Sequence, residues 1–326
     1  MELALSAANY LSPIADALYY LNNTKVHPVW FPFALAPTLH AARVSIIFQA
    51  NVRQRGASGA PLSWGTHIAG FLLMSWGGGL LSHFMLGLPP PMLYSFGPAL
   101  NYVSVNLIVM LILTILPDLL YPPVLDTILW PLDALLRTNA VVSTLGLLSS
   151  HKVHPEYQNS PLTHLIIGAI VSSGGGLTVA TMSAWTPNWA LSTPPVLRAG
   201  AGWAGTLDVW GGSLVALIYS STTNHPAFAP LHTYTTLILS SPLLSVTRKP
   251  HADADFPPLT SLGAASLSAA VLGILFAART IKTHWLISSQ SGGTTVRAVH
   301  SKVPQTLTPH KVGHLGAVKR AKKKTS

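Results

Sequence analysis

The chain has 326 residues, of which 49% are hydrophobic and only 9% charged, and its formal net charge is +10. A soluble domain carries about a quarter charged residues, so this composition excludes an ordinary soluble globule and points to a polytopic membrane protein. Cysteine is absent, which excludes disulfides, thiol catalysis and cysteine-based metal sites.

The opening "MELALSAANYLSPIADALYY" has neither a basic leader nor a continuous apolar core. Residues 1–29 therefore read as an amphipathic segment ahead of the first span, not as a cleaved signal. Crossing a bilayer takes about 20 mostly apolar residues. Runs of that kind occupy 30–50, 64–87, 99–121, 160–185, 200–220 and 260–279, and a weaker one at 124–148 carries Asp126, Asp133 and Arg137. Proline-rich turns such as "GLPPPM" and "YPPV" separate them, as expected of a residue that ends helices. An eighth apolar run, 227–246, is broken by Pro230 and Pro242 and reads as a non-spanning part of a 223–258 loop.

Seven spans result, and arginine and lysine orient them. With the N-terminus luminal, Arg53, Arg55 and Arg198 fall on cytosolic loops, against Lys152, Arg248 and Lys249 on the luminal side. The sequon Asn22-Asn23-Thr24 is then luminal. The seventh helix, 259–285, leads into a basic tail, 286–326, whose stretch from Arg297 to Lys324 holds eight Lys and Arg and no acid. After a membrane domain, such a tail reads as disordered, cytosolic and facing anionic lipid rather than nucleic acid.

Two stretches match S-x-G-G-G-L-x-x-x-x-M at an offset of 97 residues: Ser75 with Gly77, Gly78 and Gly79, and Ser172 with Gly174, Gly175 and Gly176. Each lies in the middle span of a three-span unit, 30–121 or 122–222. Three is odd, so the units enter the membrane from opposite sides, an inverted repeat of the kind that places a transport path between its halves. Glycine triplets let backbones approach and can loosen a helix. Loosened turns are tolerated only where they face protein or a wet path. Packing alone and pore-lining kinks are both open on these grounds, and the matched pair favours the kink.

At "PLSWGTHIAGFLLMSWGGGLLSHFMLGLPPP" (61–91), "PDLLYPP" (117–123) and "GAIVSSGGGLTVATMSAW" (168–185) the chain resembles the trimeric intracellular cation channel family. The resemblance implies an all-α fold of seven transmembrane helices, an inverted 3+3 repeat plus one, assembled as a homotrimer. It implies potassium flux across the endoplasmic reticulum membrane as counter-ion for calcium release, with the nuclear envelope as a second location. The pore would be lined by the second and fifth helices, and no cofactor is implied. The family's phosphoinositide-binding helix is represented here by "DALLR", with Arg137 kept and Asp133 where the family has lysine, which counts against headgroup binding through that pair. Leu88 likewise replaces an acid of the family pattern.

Among individual residues, Asp133 and Arg137 are four apart and can pair along one helix face or mark a path or lipid site. Asp208 falls well inside a span and needs Arg137, Arg198 or water as a partner. Arg198 reads as a snorkelling anchor or a gating charge, and Asp118 as a helix cap or cation attractor. His151 and His154 form H-x-x-H on a loop, too little for a metal site, while His83 and His164 read as hydrogen-bonding to neighbours. Lys323 and Lys324 fit a K-K-x-x endoplasmic reticulum address. Neither H-E-x-x-H nor G-x-S-x-G occurs, so an enzyme is not expected. A secondary transporter and a non-conducting scaffold are the rival readings.

Overall fold

The computed structural model describes residues 11–56, 61–239 and 259–286. The basic tail with Lys323 and Lys324, and residues 240–246 of the 227–246 run, lie outside the described residues. Helix α1 (Ser12–Asn23) leads into a two-stranded hairpin, β1 (Lys25–His27) and β2 (Phe31–Ala34), with Lys25 opposite Ala34 and His27 opposite Phe31. The rest is helical. α2 is Leu35–Gly56, α3 Trp64–Met85, α4 Gly97–Ile115 and α5 Pro122–Leu148. α6 is Pro161–Met182, α7 Gly202–Thr222, α8 Ala229–Leu239 and α9 Ser261–Thr280, which continues as a π-helical turn, Ile281–Leu286.

Among the described residues, four helices are long and apolar enough to cross a membrane: α3, α4, α6 and α9 with its extension. The chain is thus an all-α membrane protein apart from the hairpin. α2, α5 and α7 are just as long, but their sequences carry Arg43, Arg53, Asp126, Asp133, Arg137 and Asp208. The apolar run at 227–246 yields only the eleven-residue α8 among the described residues, about half the length a span needs.

α3 and α6 lie side by side, and α6 also packs along α7. α4 lies chiefly on α2, whereas α9 lies on α5 and α7 and is covered by α1. One apolar core joins α5, α6, α7 and α9 through Val141, Ile167, Leu207, Leu272 and Phe276. A second joins α2, α3 and α6 through Phe48, Phe71 and Val179. The outer face of α4 leaves Ile108, Leu111 and Ile115 exposed, as a bilayer-facing helix should.

α3 and α6 share more than their triplets. Each begins on a serine whose hydroxyl accepts the amide three residues on, Ser63 from Thr66 and Ser160 from Thr163, satisfying a free helix donor. Each then buries a histidine at its fourth position, His67 and His164. All three pairs keep the 97-residue offset of the triplets.

Candidate functional site: a glycine crossing beside a buried charge cluster

Both triplets remain α-helical throughout, so the loosened turns that the sequence suggests are not found. The triplets instead form the place where α3 and α6 touch backbone to backbone. A methyl added at Gly77 would lie 2.9 Å from Gly175 Cα, and one at Gly78 would lie 2.8 Å from the carbonyl oxygens of Ile170 and Val171. One at Gly174 would meet Gly78 Cα at 2.8 Å, and one at Gly175 would collide with the Met74 carbonyl. The third glycine of each set behaves differently. A methyl at Gly79 would meet only the flexible end of Met92, and one at Gly176 would meet nothing within 4 Å. A second crossing of the same kind, Gly168 against Gly212, joins α6 to α7. Ser75 hydrogen-bonds to Phe71 within its own helix, at 2.9 Å.

Beside the crossing lies a cluster of ionised side chains. Asp208 on α7 accepts from Arg279 of α9 at 2.8 Å and pairs with Arg137 of α5 at 3.0 Å. The same Arg137 nitrogen donates to the Ser172 carbonyl at 2.6 Å, which ties the cluster to the helix turn that opens the second triplet. Phe276 lies beneath both guanidinium groups, 5.2 Å from that of Arg137 and 4.6 Å from that of Arg279. Such cation–π contacts are strongest where water is excluded, and Phe276 is buried.

Asp133 does not pair with Arg137. Four residues put the two on neighbouring turns of α5, but Asp133 is claimed by Arg43 of α2, which donates from Nε at 2.9 Å and from its terminal nitrogen at 2.9 Å. That terminal nitrogen also reaches Asp126 at 2.8 Å. A planar guanidinium can hold two carboxylates at once, which an ammonium cannot do with the same geometry. The other oxygen of Asp126 meets His284 at 3.0 Å, and Trp285 donates to Thr127 at 3.1 Å, so the π-helical turn is fastened to the start of α5. Arg43, Asp126, Asp133, Arg279 and His284 line a cavity of about 190 Å³. Three arginines face three aspartates, so the cluster is formally neutral if His284 is.

The structure therefore gathers Arg137, Asp208, Ser172 and the triplets, with Asp133 one turn away. Arg198 and Asp118 lie apart. Arg198 donates to the Thr193 carbonyl in the loop before α7, and Asp118 is exposed on the 3₁₀ turn Pro117–Leu119. Arg43, Arg279, Asp126 and His284 were missed as site residues. Arg43 carried a signal, since it is a lone arginine inside an apolar run, and an intramembrane charge needs a partner.

His83 and His164 hydrogen-bond to their neighbours. His83 hydrogen-bonds to the Gly79 carbonyl at 2.8 Å, and His164 to Ser220 and the Gln158 carbonyl. No group of three or more metal-ligating side chains occurs among the described residues. His225, in the loop after α7, sits 4.5 Å ring to ring from His164 and accepts the Ala227 amide on Nδ1. Burial lowers the pKa of His225, so the fold favours its neutral form. The stability this brings is present above the ordinary histidine value and is lost as pH falls through it. Melting in detergent should thus drop between about pH 7.5 and about pH 5.5, and the drop should shrink in His225→Gln. An equal drop in the variant would assign the acid sensitivity elsewhere.

No protein-family model, no curated protein and no solved structure matches this chain.

Proposed function

We propose that the chain conducts monovalent cations, chiefly potassium, across the endoplasmic reticulum membrane, as counter-ion flow during calcium release. In this reading it is a homotrimer of seven-spanning subunits built from inverted halves, 30–121 and 122–222. The observation that carries the reading is the ionised cluster of α2, α5, α7 and α9, bound to the backbone of the second triplet and bordered by a cavity. Ionisable groups at membrane depth are costly and mark pathways for ions or protons far more often than they mark mere packing. The more exposed members are carboxylates. Asp126 and Asp208 show 35% and 38% of their side chains, against 9% for Arg43 and about 25% for Arg137 and Arg279, a bias that favours a cation over an anion. The shared serine cap, buried histidine and triplet of α3 and α6 support the duplication.

Lipid remains a partner by resemblance. Arg137 is already bound to Asp208 and Ser172, so a phosphoinositide headgroup would have to displace them. A secondary transporter is the second reading, because tight crossings beside paired charges also suit two halves that rock against each other. A scaffold that keeps the fold without conducting is the third.

Reconstitution of the full chain into planar bilayers separates these readings. Resolvable single-channel potassium currents are expected. Saturable, slow uptake without unitary currents would replace the channel by a carrier, and silence in both assays by a scaffold.

A further inference from the structure

We propose that a slot between α2, α3 and α4, separate from the charge cluster, holds one acyl chain of a bilayer lipid. The slot has a volume of about 340 Å³ and is lined by Phe33, Pro37, Trp76, Met92, Pro98 and Tyr102, with Ala34, Gly97 and Asn101 between them. No charged side chain lines it. Of its polar side chains, Tyr102 bonds His40 at 2.9 Å and the Asn101 carbonyl oxygen takes the Thr38 hydroxyl at 3.1 Å, while the buried indole N–H of Trp76 has no partner among the described residues. Water needs two or more polar partners to occupy a cavity, and one indole N–H among hydrocarbon and aromatic faces does not supply them.

Two observations identify the occupant as a lipid chain. Two of the walls, α3 and α4, are helices long and apolar enough to span, so the slot adjoins the bilayer. Second, exposed aromatics flank the slot in sequence: Trp30, Tyr94 and Phe96, at 85%, 71% and 76%. Aromatic side chains of this kind gather at the membrane–water interface, which places the slot where a lipid of that leaflet can dip one tail into it.

Trp76 supplies the reporter. The full chain is reconstituted in vesicles of phosphatidylcholine carrying one dibrominated acyl chain, whose bromines quench indole on contact. Subtracting the Trp76→Phe signal isolates that tryptophan from the other eight. Two variants fill the slot. A Cβ at Gly97 finds only ordinary contacts, 3.6 Å from Ser95 and 3.7 Å from Phe33, so Gly97→Leu places its remaining atoms in the cavity. Ala34→Phe does so from the opposite wall. Helical circular dichroism confirms which variants fold. Strong quenching of Trp76 in the parent, at least halved in a folded filling variant, is the expected result. An unquenched Trp76 would overturn the proposal, as would quenching that a filled slot leaves unchanged, or quenching by aqueous acrylamide in place of the brominated chain. None of these readouts depends on ion conduction.

Discussion

Gly175→Ala should leave little folded protein, whereas Gly176→Ala, one residue further on, should be tolerated or slightly stabilising. The two glycines share a helix and a motif but face different surroundings. A Cβ on Gly175 runs into the carbonyl of Met74 on α3, and the neighbouring contacts are backbone as well. Backbone cannot rotate aside as a side chain can, so α3 and α6 must separate to admit even one methyl. Overpacking a well-fitted core costs about 1–3 kcal/mol, and at this crossing the upper end or more is expected. Gly78→Ala should behave like Gly175→Ala, because its Cβ faces two carbonyl oxygens at 2.8 Å. Gly176 is exposed with open space around it, so alanine there removes backbone freedom from the unfolded chain and gains about 0.5–1 kcal/mol. Thermal unfolding in detergent and yield of folded protein read both effects. Equal tolerance at 175 and 176 would show that the crossing is looser than the contacts require. The same geometry changes how leucine substitutions in the triplets are interpreted. A silent Gly78→Leu or Gly175→Leu reports a lost helix crossing before it reports anything about a pore.

The helices were legible because the bilayer demands long apolar runs and proline marks where they stop. Each of the seven expected runs contains a long helix, of which four are long and apolar enough to span, and the eighth run gave only the short α8 among the described residues. The pairing of the triplets was also legible in outline, since two copies of one rare pattern are hard to explain separately. What the pattern could not convey was its partner. A glycine triplet announces that some backbone comes close, and only the fold shows that each triplet is the other's neighbour. The charge pairs were harder still. Asp133 and Arg137 look like a pair because helix periodicity puts them together, yet the ladder of contacts runs across helices, from Arg43 to Asp133 and from Arg137 through Asp208 to Arg279. Sequence separations of 90 and 71 residues leave no local trace. Asp208 shows the useful limit. Its need for a cation followed from its depth in an expected span, and Arg137 was one of two partners named, but Arg279 lies near the end of α9, where an arginine looks like an ordinary interfacial anchor.

Arg43→Met should be the most damaging change to the charge cluster, and a second substitution should undo most of the harm. Arg43 holds both oxygens of Asp133 and one of Asp126, with its own side chain only 9% exposed and that of Asp133 only 13%. Removing the guanidinium leaves the Asp133 carboxyl without the ion pair that holds both of its oxygens, and breaking a buried pair from one side costs about 3–5 kcal/mol. Asp126 suffers less, because it is 35% exposed and keeps His284. Arg43→Lys should fall between the parent and methionine, since an ammonium preserves the charge but not the fork that spans two carboxylates. The double variant Arg43→Met with Asp133→Leu replaces the buried pair by apolar side chains and should recover most of the loss, because the cost lay in the uncompensated carboxylate and not in the missing bond. The difference between the double variant and the sum of the singles is then large and favourable, a coupling that unfolding midpoints in one detergent measure directly. If instead the double variant is as unstable as the sum, Arg43 acts by packing its own stem against α5. If Arg43→Met alone is neutral, Asp133 is protonated or wet in the folded protein, and the cluster is more open to water than its burial indicates.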